Sequence, residues 1–419
     1  MKTLITNIKA FINGNFIDTK ILIDNDKIVE VSPSITIDSE TAVFDGQNAY
    51  VSYGFIDPHV HFRTPGAEIK EDWKSGSNAA LAGGFTYVLD MPNNSPAAID
   101  FNILQKKNEI AKKDSLVNFG FYLGLTENNC NQLTEILDNC QKAAIPIFGI
   151  KVFLGASTGS LLVKNLEAVE KAFATGLPVL FHGEENSLLK DLPFTTLEQH
   201  EANRPTKAES EAIRKIKKAA EKYKETAKIY ICHLSSEDGL DEALKMRNDG
   251  FNIYLEATPH HLALNLESIE SSSAIAKINP PIRHSKDTSS LQNALKNKQI
   301  DCIGTDHAPH LLEEKKSNNP PSGFPGLETA FFALNKLVSN KVTTLENIIE
   351  KLTSAYKIFN IKSHGNIEVG NYANLVLLQK KSTTFNAENA KTKAKFSPFN
   401  KITSDISIEH VFVNGKQLY

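Results

Sequence analysis

With 419 residues, 41% hydrophobic and 23% charged, the chain is long enough for a large enzyme domain plus a smaller one, and has ordinary globular composition. A net charge of −3 with both signs interspersed gives no electrostatic footprint for nucleic acid or an anionic membrane. No apolar run reaches transmembrane length and the N-terminus lacks the apolar stretch of a signal peptide. Four scattered cysteines (Cys130, Cys140, Cys232, Cys302) fit a reducing compartment, so a cytoplasmic protein is expected.

In chain order, residues 1–53 read as short strands (3–8, 21–23, 27–31, 41–44) broken by turn signals at Asn13-Gly14 and Asp24-Asn25-Asp26. So short a β segment buries little by itself and needs a partner. Residues 374–378 and 409–414, in the last stretch of the chain (359–419), are again strand-like. The two termini are therefore expected to form one small β-sandwich domain, with residues 54–358 inserted between them.

That middle alternates apolar strand runs (51–56, 85–90, 118–123, 148–153, 179–182, 229–233, 252–257, 301–306) with helix-period stretches (72–82, 102–112, 131–143, 161–174, 209–223, 238–248). Eight strands alternating with helices predict an α/β fold, a parallel (β/α)8 TIM-like barrel. A doubly wound open sheet has the same periodicity. The polar residues separate the two: His59 and His61 follow the first run, Asn93 the second, Lys151 lies late in the fourth, and His182, His233 and Asp306 end the fifth, sixth and eighth. Only in a closed barrel do these C-terminal ends converge on one mouth.

His59 and His61 flank one residue after an apolar strand run, so their side chains share a face with Cα atoms roughly 6.6 Å apart. Two imidazoles so placed can bind one metal ion. Four histidines and one aspartate at strand ends can hold two divalent ions if a bridging ligand exists. Lys151, in Gly149-Ile150-Lys151-Val152-Phe153, is costly to bury unless paired or neutralised. It reads either as half of an ion pair or as a neutral amine that has taken up CO2 to become a bridging carbamate; spacing leaves both open. His260 and His261, after the seventh run, suit an orienting or structural role as well as direct contact; His307 is a candidate for orienting a neighbour of Asp306; Glu184 and Glu185 either orient neighbours or open a solvated helix. His200, His284, His364 and His410 belong to no constellation. Residues 313–326, polar and carrying Pro320-Pro321-Ser322-Gly323, are expected to form a loop at the barrel mouth, as a lid or as a disordered segment.

His59-Val60-His61-Phe62-Arg63-Thr64-Pro65-Gly66, Asp90-Met91-Pro92-Asn93, Ile278-Asn279-Pro280-Pro281-Ile282-Arg283 and Gly304-Thr305-Asp306-His307-Ala308-Pro309-His310 together resemble the dihydroorotase branch of the amidohydrolase superfamily. Lys70-Glu71-Asp72, Thr258-Pro259-His260-His261 and Gly326-Leu327-Glu328-Thr329 extend the likeness over nearly the whole chain. Gly183 and Asn374 depart from the family pattern, outside the expected chemistry.

The resemblance implies a cyclic amidohydrolase that interconverts L-dihydroorotate and N-carbamoyl-L-aspartate in pyrimidine synthesis, using two divalent ions, with zinc expected. It implies His59, His61 and Asp306 around one ion, His182 and His233 around the other, and carbamylated Lys151 between them. Arg63, Asn93 and His310 would hold the substrate carboxylate and Asn279 the ring, while Asp306 would shuttle the proton. A homodimer is the family expectation. Allantoinase, hydantoinase or dihydropyrimidinase activity is the neighbouring alternative, and a silent scaffold subunit the remote one.

Overall fold

The computed structural model describes residues 2–156 and 161–419. Its central layer is a sheet of eight parallel strands: β5 (Phe55–Val60), β6 (Phe85–Asp90), β7 (Asn118–Gly124), β8 (Ile147–Phe153), β9 (Pro178–His182), β10 (Lys228–Ile231), β11 (Ile253–Ala257) and β12 (Cys302–Ile303). They pair in sequence order. Closure comes from a parallel bridge between Val60 and His307, with the His61 N–H donating to the His307 carbonyl at 2.9 Å. The chain is thus a barrel rather than an open sheet.

Helices wrap the outside, and their starts follow from local chemistry. Asp72, Asp100 and Ser236 each cap the exposed N–H groups of the helix that follows: Trp73–Ala82, Phe101–Asp114 and Glu237–Asn248 respectively. The expected helix over 161–174 begins only at Leu166, because Asn165 supplies its cap by accepting from the Glu167 N–H.

Two other expectations shift. The run 51–56 is not one strand: residues to Tyr53 finish β4 (Ala42–Tyr53) of a second sheet, and β5 starts at Phe55. Gly54 makes the break, where a Cβ would meet the Thr86 side chain at 2.2 Å. The eighth strand ends at Ile303, not 306; Asp306 lies beyond it with φ 49°, which an extended strand excludes, and its carboxylate faces His59 and His61.

The second sheet is built from both termini: β1 (Lys2–Ile12), β2 (Asn15–Asp24), β3 (Lys27–Ser32) and β4 with β13 (Leu375–Gln379), β16 (Ser407–Val413) and β17 (Lys416–Gln417). The seven strands form one continuous sheet in the order β17-β16-β13-β4-β1-β2-β3. A short hairpin, β14 (Thr383–Thr384) with β15 (Thr403–Ser404), stands apart. Core side chains of the terminal sheet, such as Ile21, Val51 and Leu377, pack continuously with inward-facing barrel residues Ile56, Leu89 and Tyr230. The sheet therefore backs the barrel floor and leaves the opposite mouth open.

Candidate metal centre and carboxylate clamp

At the end of β5 the buried Asp57 carboxylate accepts from the His59 N–H (3.0 Å), the Thr305 N–H (3.0 Å) and the Thr305 hydroxyl (2.5 Å). This clip ties the first strand to the eighth and fixes His59 and Asp306 relative to one another. Burial pushes the Asp57 carboxyl up to about 7.

The His59 and His61 Nε2 atoms both face Asp306 Oδ1, at 3.4 and 2.9 Å. Their Nδ1 atoms are committed elsewhere: His59 to Glu256 Oε1 at 2.8 Å and His61 to Asn93 Oδ1 at 2.6 Å. Anchoring Nδ1 leaves Nε2 as the atom each ring offers the cleft. Burial opposes charge on His59, yet Glu256 and Asp306 on either side hold its pKa well above the ordinary value. For Asp306 burial favours the acid, but His59 and His61 outweigh it and keep the group a carboxylate. Two imidazole nitrogens and a carboxylate oxygen within 4.8 Å of one another form a donor set suited to a divalent ion.

Beside it, His182 Nδ1 and His233 Nε2 lie 2.9 Å apart. Glu184 Oε2 accepts from His182 Nε2 at 2.8 Å and is itself held by Arg204, whose Nε lies 3.1 Å from Oε1. The proton of His182 therefore sits on Nε2, and its Nδ1 lone pair faces His233. Burial lowers the pKa of both rings, so both are neutral, as ligands must be. The second buried nitrogen of His233, Nδ1, has no hydrogen-bond partner among the described residues.

Lys151 is fully buried on β8. Its Nζ approaches Cys232 Sγ at 2.9 Å and the Phe153 ring at 5.1 Å, and it forms no ion pair with a carboxylate among the described residues. Of the two readings of this lysine, the ion pair is the one the geometry does not supply. The donor set of His59, His61 and Asp306 fits a divalent ion, and Lys151, His182 and His233 line the same cleft.

Nine of the ten expected site residues, all but His310, line one cleft at the barrel mouth. His310 borders the adjoining hollow, which it shares with Arg63 and Asn93. Arg63 is buried, donates from Nε to the Pro309 carbonyl (3.0 Å), and has Nη2 3.2 Å from His310 Nε2. Burial lowers its pKa only to about 10, so it stays cationic at neutral pH. Lys70 Nζ lies 3.2 Å from His310 Nδ1 and can only donate. The neutral His310 ring thus has a cation at each nitrogen, Lys70 at Nδ1 and Arg63 at Nε2, with the Ser322 carbonyl also 3.1 Å from Nε2. Asn279 Oδ1 accepts from His200 Nε2 (3.0 Å) and the Ser322 hydroxyl (3.1 Å).

A model of the Amidohydrolase family matches residues 50–418. The chain belongs to the amidohydrolase family. Members of this family are generally metal-dependent, in keeping with the donor set. Among sequence relatives, the dihydroorotase of Methanosphaera stadtmanae is 34% identical over 407 residues, covering 92% of this chain and 90% of the relative. That of Carboxydothermus hydrogenoformans is also 34% identical, covering 94% and 92%. Among solved structures, a dihydropyrimidinase from Brevibacillus agri NCHU1002 superposes with TM-score 0.89 at 24% identity, over 100% of this chain and 95% of that one. At that identity the likeness speaks to the fold alone.

Several residues around this amidohydrolase site were not anticipated. Glu256 on β11 holds three groups at 2.8 Å: His59 Nδ1, the His233 N–H and the Tyr230 hydroxyl. Its signal was present, a glutamate inside an otherwise apolar strand run. Asp57 gave the same signal within β5. Cys232, one of the four scattered cysteines, touches Lys151, and His200, assigned to no constellation, holds Asn279. For Arg204 no local pattern pointed to Glu184. Glu184 orients His182 rather than opening a solvated helix. His261 is structural, bridging Thr258 and the Pro280 and Pro281 carbonyls. The 313–326 segment is ordered: it opens with a helical turn, Leu312–Lys315, and the buried Lys315 ammonium donates to the carbonyls of Lys277, Pro321 and Gly323.

Proposed function

We propose that this amidohydrolase is a dihydroorotase, acting reversibly on the cyclic amide of L-dihydroorotate to give N-carbamoyl-L-aspartate. The observation that carries the reading is a buried, charged arginine on the same cleft as the metal-type donor set, with His310 against it. A guanidinium suits a substrate carboxylate bidentately. Allantoin, hydantoins and dihydrouracil bring no carboxylate to meet it.

In this proposal His59, His61 and Asp306 would hold one divalent ion and His182 and His233 a second, with zinc the expected metal and carbamylated Lys151 as a further ligand. When bound, such ions lower the pKa of water toward 7 and polarise a carbonyl as Lewis acids. The chain's own residues do the rest. Arg63, Asn93 and His310 fix the carboxylate, with Asn93 also orienting His61, and Asn279 contacts the ring. Asp306, kept ionised by its histidines, accepts a proton from the attacking water and returns it to the departing ring nitrogen. The enzyme would work in the cytoplasm as a homodimer. The domain limits proposed are 1–53 and 359–419 for the terminal β unit and 54–358 for the barrel.

The test is turnover of metal-loaded protein on L-dihydroorotate, allantoin and dihydrouracil in parallel. Preference for dihydroorotate, lost in Asp306→Ala, is expected. Preference for an uncharged ring would move the chain to another cyclic amidohydrolase activity, and no turnover on any ring would favour a silent scaffold subunit.

A further inference from the structure

Arg63 has φ 60°, a left-handed backbone that a non-glycine residue holds only when its surroundings enforce it. Its two chain neighbours show what enforces it. The N–H of Phe62, one residue before, donates to Asp90 Oδ1 at 2.8 Å. The carbonyl of Thr64, one residue after, accepts from Asn94 Nδ2 at 2.8 Å. Asp90 ends β6 and Asn94 follows it, in the turn that also carries Asn93.

One buried cation joins them. Lys107, on the helix Phe101–Asp114, reaches inward with its side chain fully buried. Its Nζ lies 2.8 Å from Asp90 Oδ2, 2.7 Å from the Met91 carbonyl and 2.7 Å from Asn94 Oδ1. The ammonium donates to the Met91 carbonyl and Asn94 Oδ1 and forms an ion pair with the Asp90 carboxylate. Asp90 is likewise fully buried, so neither charge has water to turn to. Among the described residues, Lys107 is not part of the lining of the cleft or of the hollow beside it.

We propose that Lys107 is a positioning residue for the carboxylate clamp: through Asp90 and Asn94 it sets the backbone on both sides of Arg63, and through Met91 and Asn94 it sets the turn that presents Asn93. This rests on the reading of Arg63 as the carboxylate-binding group. The alternative is that the Lys107–Asp90 pair is only a part of the fold. Removing one member of a buried pair destabilises in either case, because the other charge is left uncompensated. Stability therefore cannot decide, and the test must read the clamp.

The experiment is a double-mutant cycle on the metal-loaded full chain, with Lys107→Met, Arg63→Met and the double variant, measuring kcat and KM for L-dihydroorotate, bound metal and Tm. Lys107→Met is expected to raise KM about tenfold or more with kcat changed less than about threefold, in line with the loss of a hydrogen bond to a charged group. Bound metal should be unchanged, and the double variant should have a KM no higher than Arg63→Met alone, since the lysine acts through the arginine. Should Lys107→Met not fold, Asn94→Ala, paired with Arg63→Met in the same way, gives the answer. A KM that does not move in the foldable variant, or an effect that multiplies fully with that of Arg63→Met, overturns the inference and leaves the clamp intact. If Arg63→Met itself leaves KM unchanged, the clamp and the inference fall together.

Discussion

Glu256→Gln probes the site while changing hardly any volume. The carboxylate is fully buried and takes His59 Nδ1, the His233 N–H and the Tyr230 hydroxyl, all at 2.8 Å. Glutamine can keep an oxygen at the Oε1 position, so both histidine contacts survive as neutral hydrogen bonds. On the other side its NH2 meets Tyr230, whose hydroxyl can turn to Cys302 Sγ at 3.0 Å. What is lost is the charge assistance on two bonds, about 1 kcal/mol each, hence about 2 kcal/mol in all or roughly 30-fold. That falls within the roughly 10- to 100-fold range known for residues that orient metal-binding histidines. The loss should appear in metal affinity, measured by chelator competition, and in kcat/KM at limiting metal, with kcat largely restored by excess metal. Glu256→Ala, which removes every bond, should lose more. A Glu256→Gln enzyme within about twofold of the parent in both quantities would refute the claim that this carboxylate directs the His59 Nε2 atom to the cleft.

Three further outcomes follow from the geometry. Gly304→Ala should cost activity more than its one methyl suggests, because the new Cβ would stand 2.6 Å from Glu256 Cδ and 3.0 Å from His59 Cβ; metal content and kcat/KM measure it. On the role proposed for Lys151, Lys151→Ala should abolish turnover, and short carboxylic acids added to millimolar levels should restore part of it; a variant that stays active without them would remove Lys151 from the site. Burial, with Lys277 adding repulsion, lowers the Lys315 pKa from 10.5 to about 7. Between those values the unfolded chain holds a proton that the native state does not, so wild-type stability relative to Lys315→Met should rise with pH from 7 toward 10.5, by at most about 1.4 kcal/mol per pH unit. Urea unfolding at pH 6.5 and 9 reads the difference, and a flat result would show that its three carbonyl acceptors hold the ammonium charged.

The barrel was legible because eight apolar runs alternate with amphipathic ones and because His59, Lys151, His182, His233 and Asp306 recur at run ends, where a closed sheet gathers them. The terminal sheet was legible only as a complementarity: neither end of the chain had enough apolar surface to stand alone. The boundary at Gly54 was not, since an unbroken run of Val51, Ser52 and Tyr53 into Phe55 and Ile56 conceals a change of sheet that only the close approach of Thr86 dictates. The groups that aim the histidines were harder still. Glu256 and Asp57 are single carboxylates in apolar surroundings, and their partners lie 197 and 248 residues away in the chain. Sequence pattern reports what repeats along the chain, whereas these contacts exist only once the first and eighth strands meet.

The seven-stranded sheet also sets a timetable for synthesis. β4 hydrogen-bonds to β1 on one side and β13 on the other, yet β4 ends at Tyr53 and β13 begins at Leu375. At the usual roughly 5–20 residues per second, the ribosome needs about 16–64 s to deliver the second partner. For that interval the nascent protein carries an unsatisfied strand edge beside an apolar face, the arrangement that invites pairing with a neighbouring chain. Residues 375–379 then pair with that edge and β16 covers β13 in turn, so a ribosome that stalls within the barrel releases a product that has lost more than its missing residues: β4 keeps an open edge.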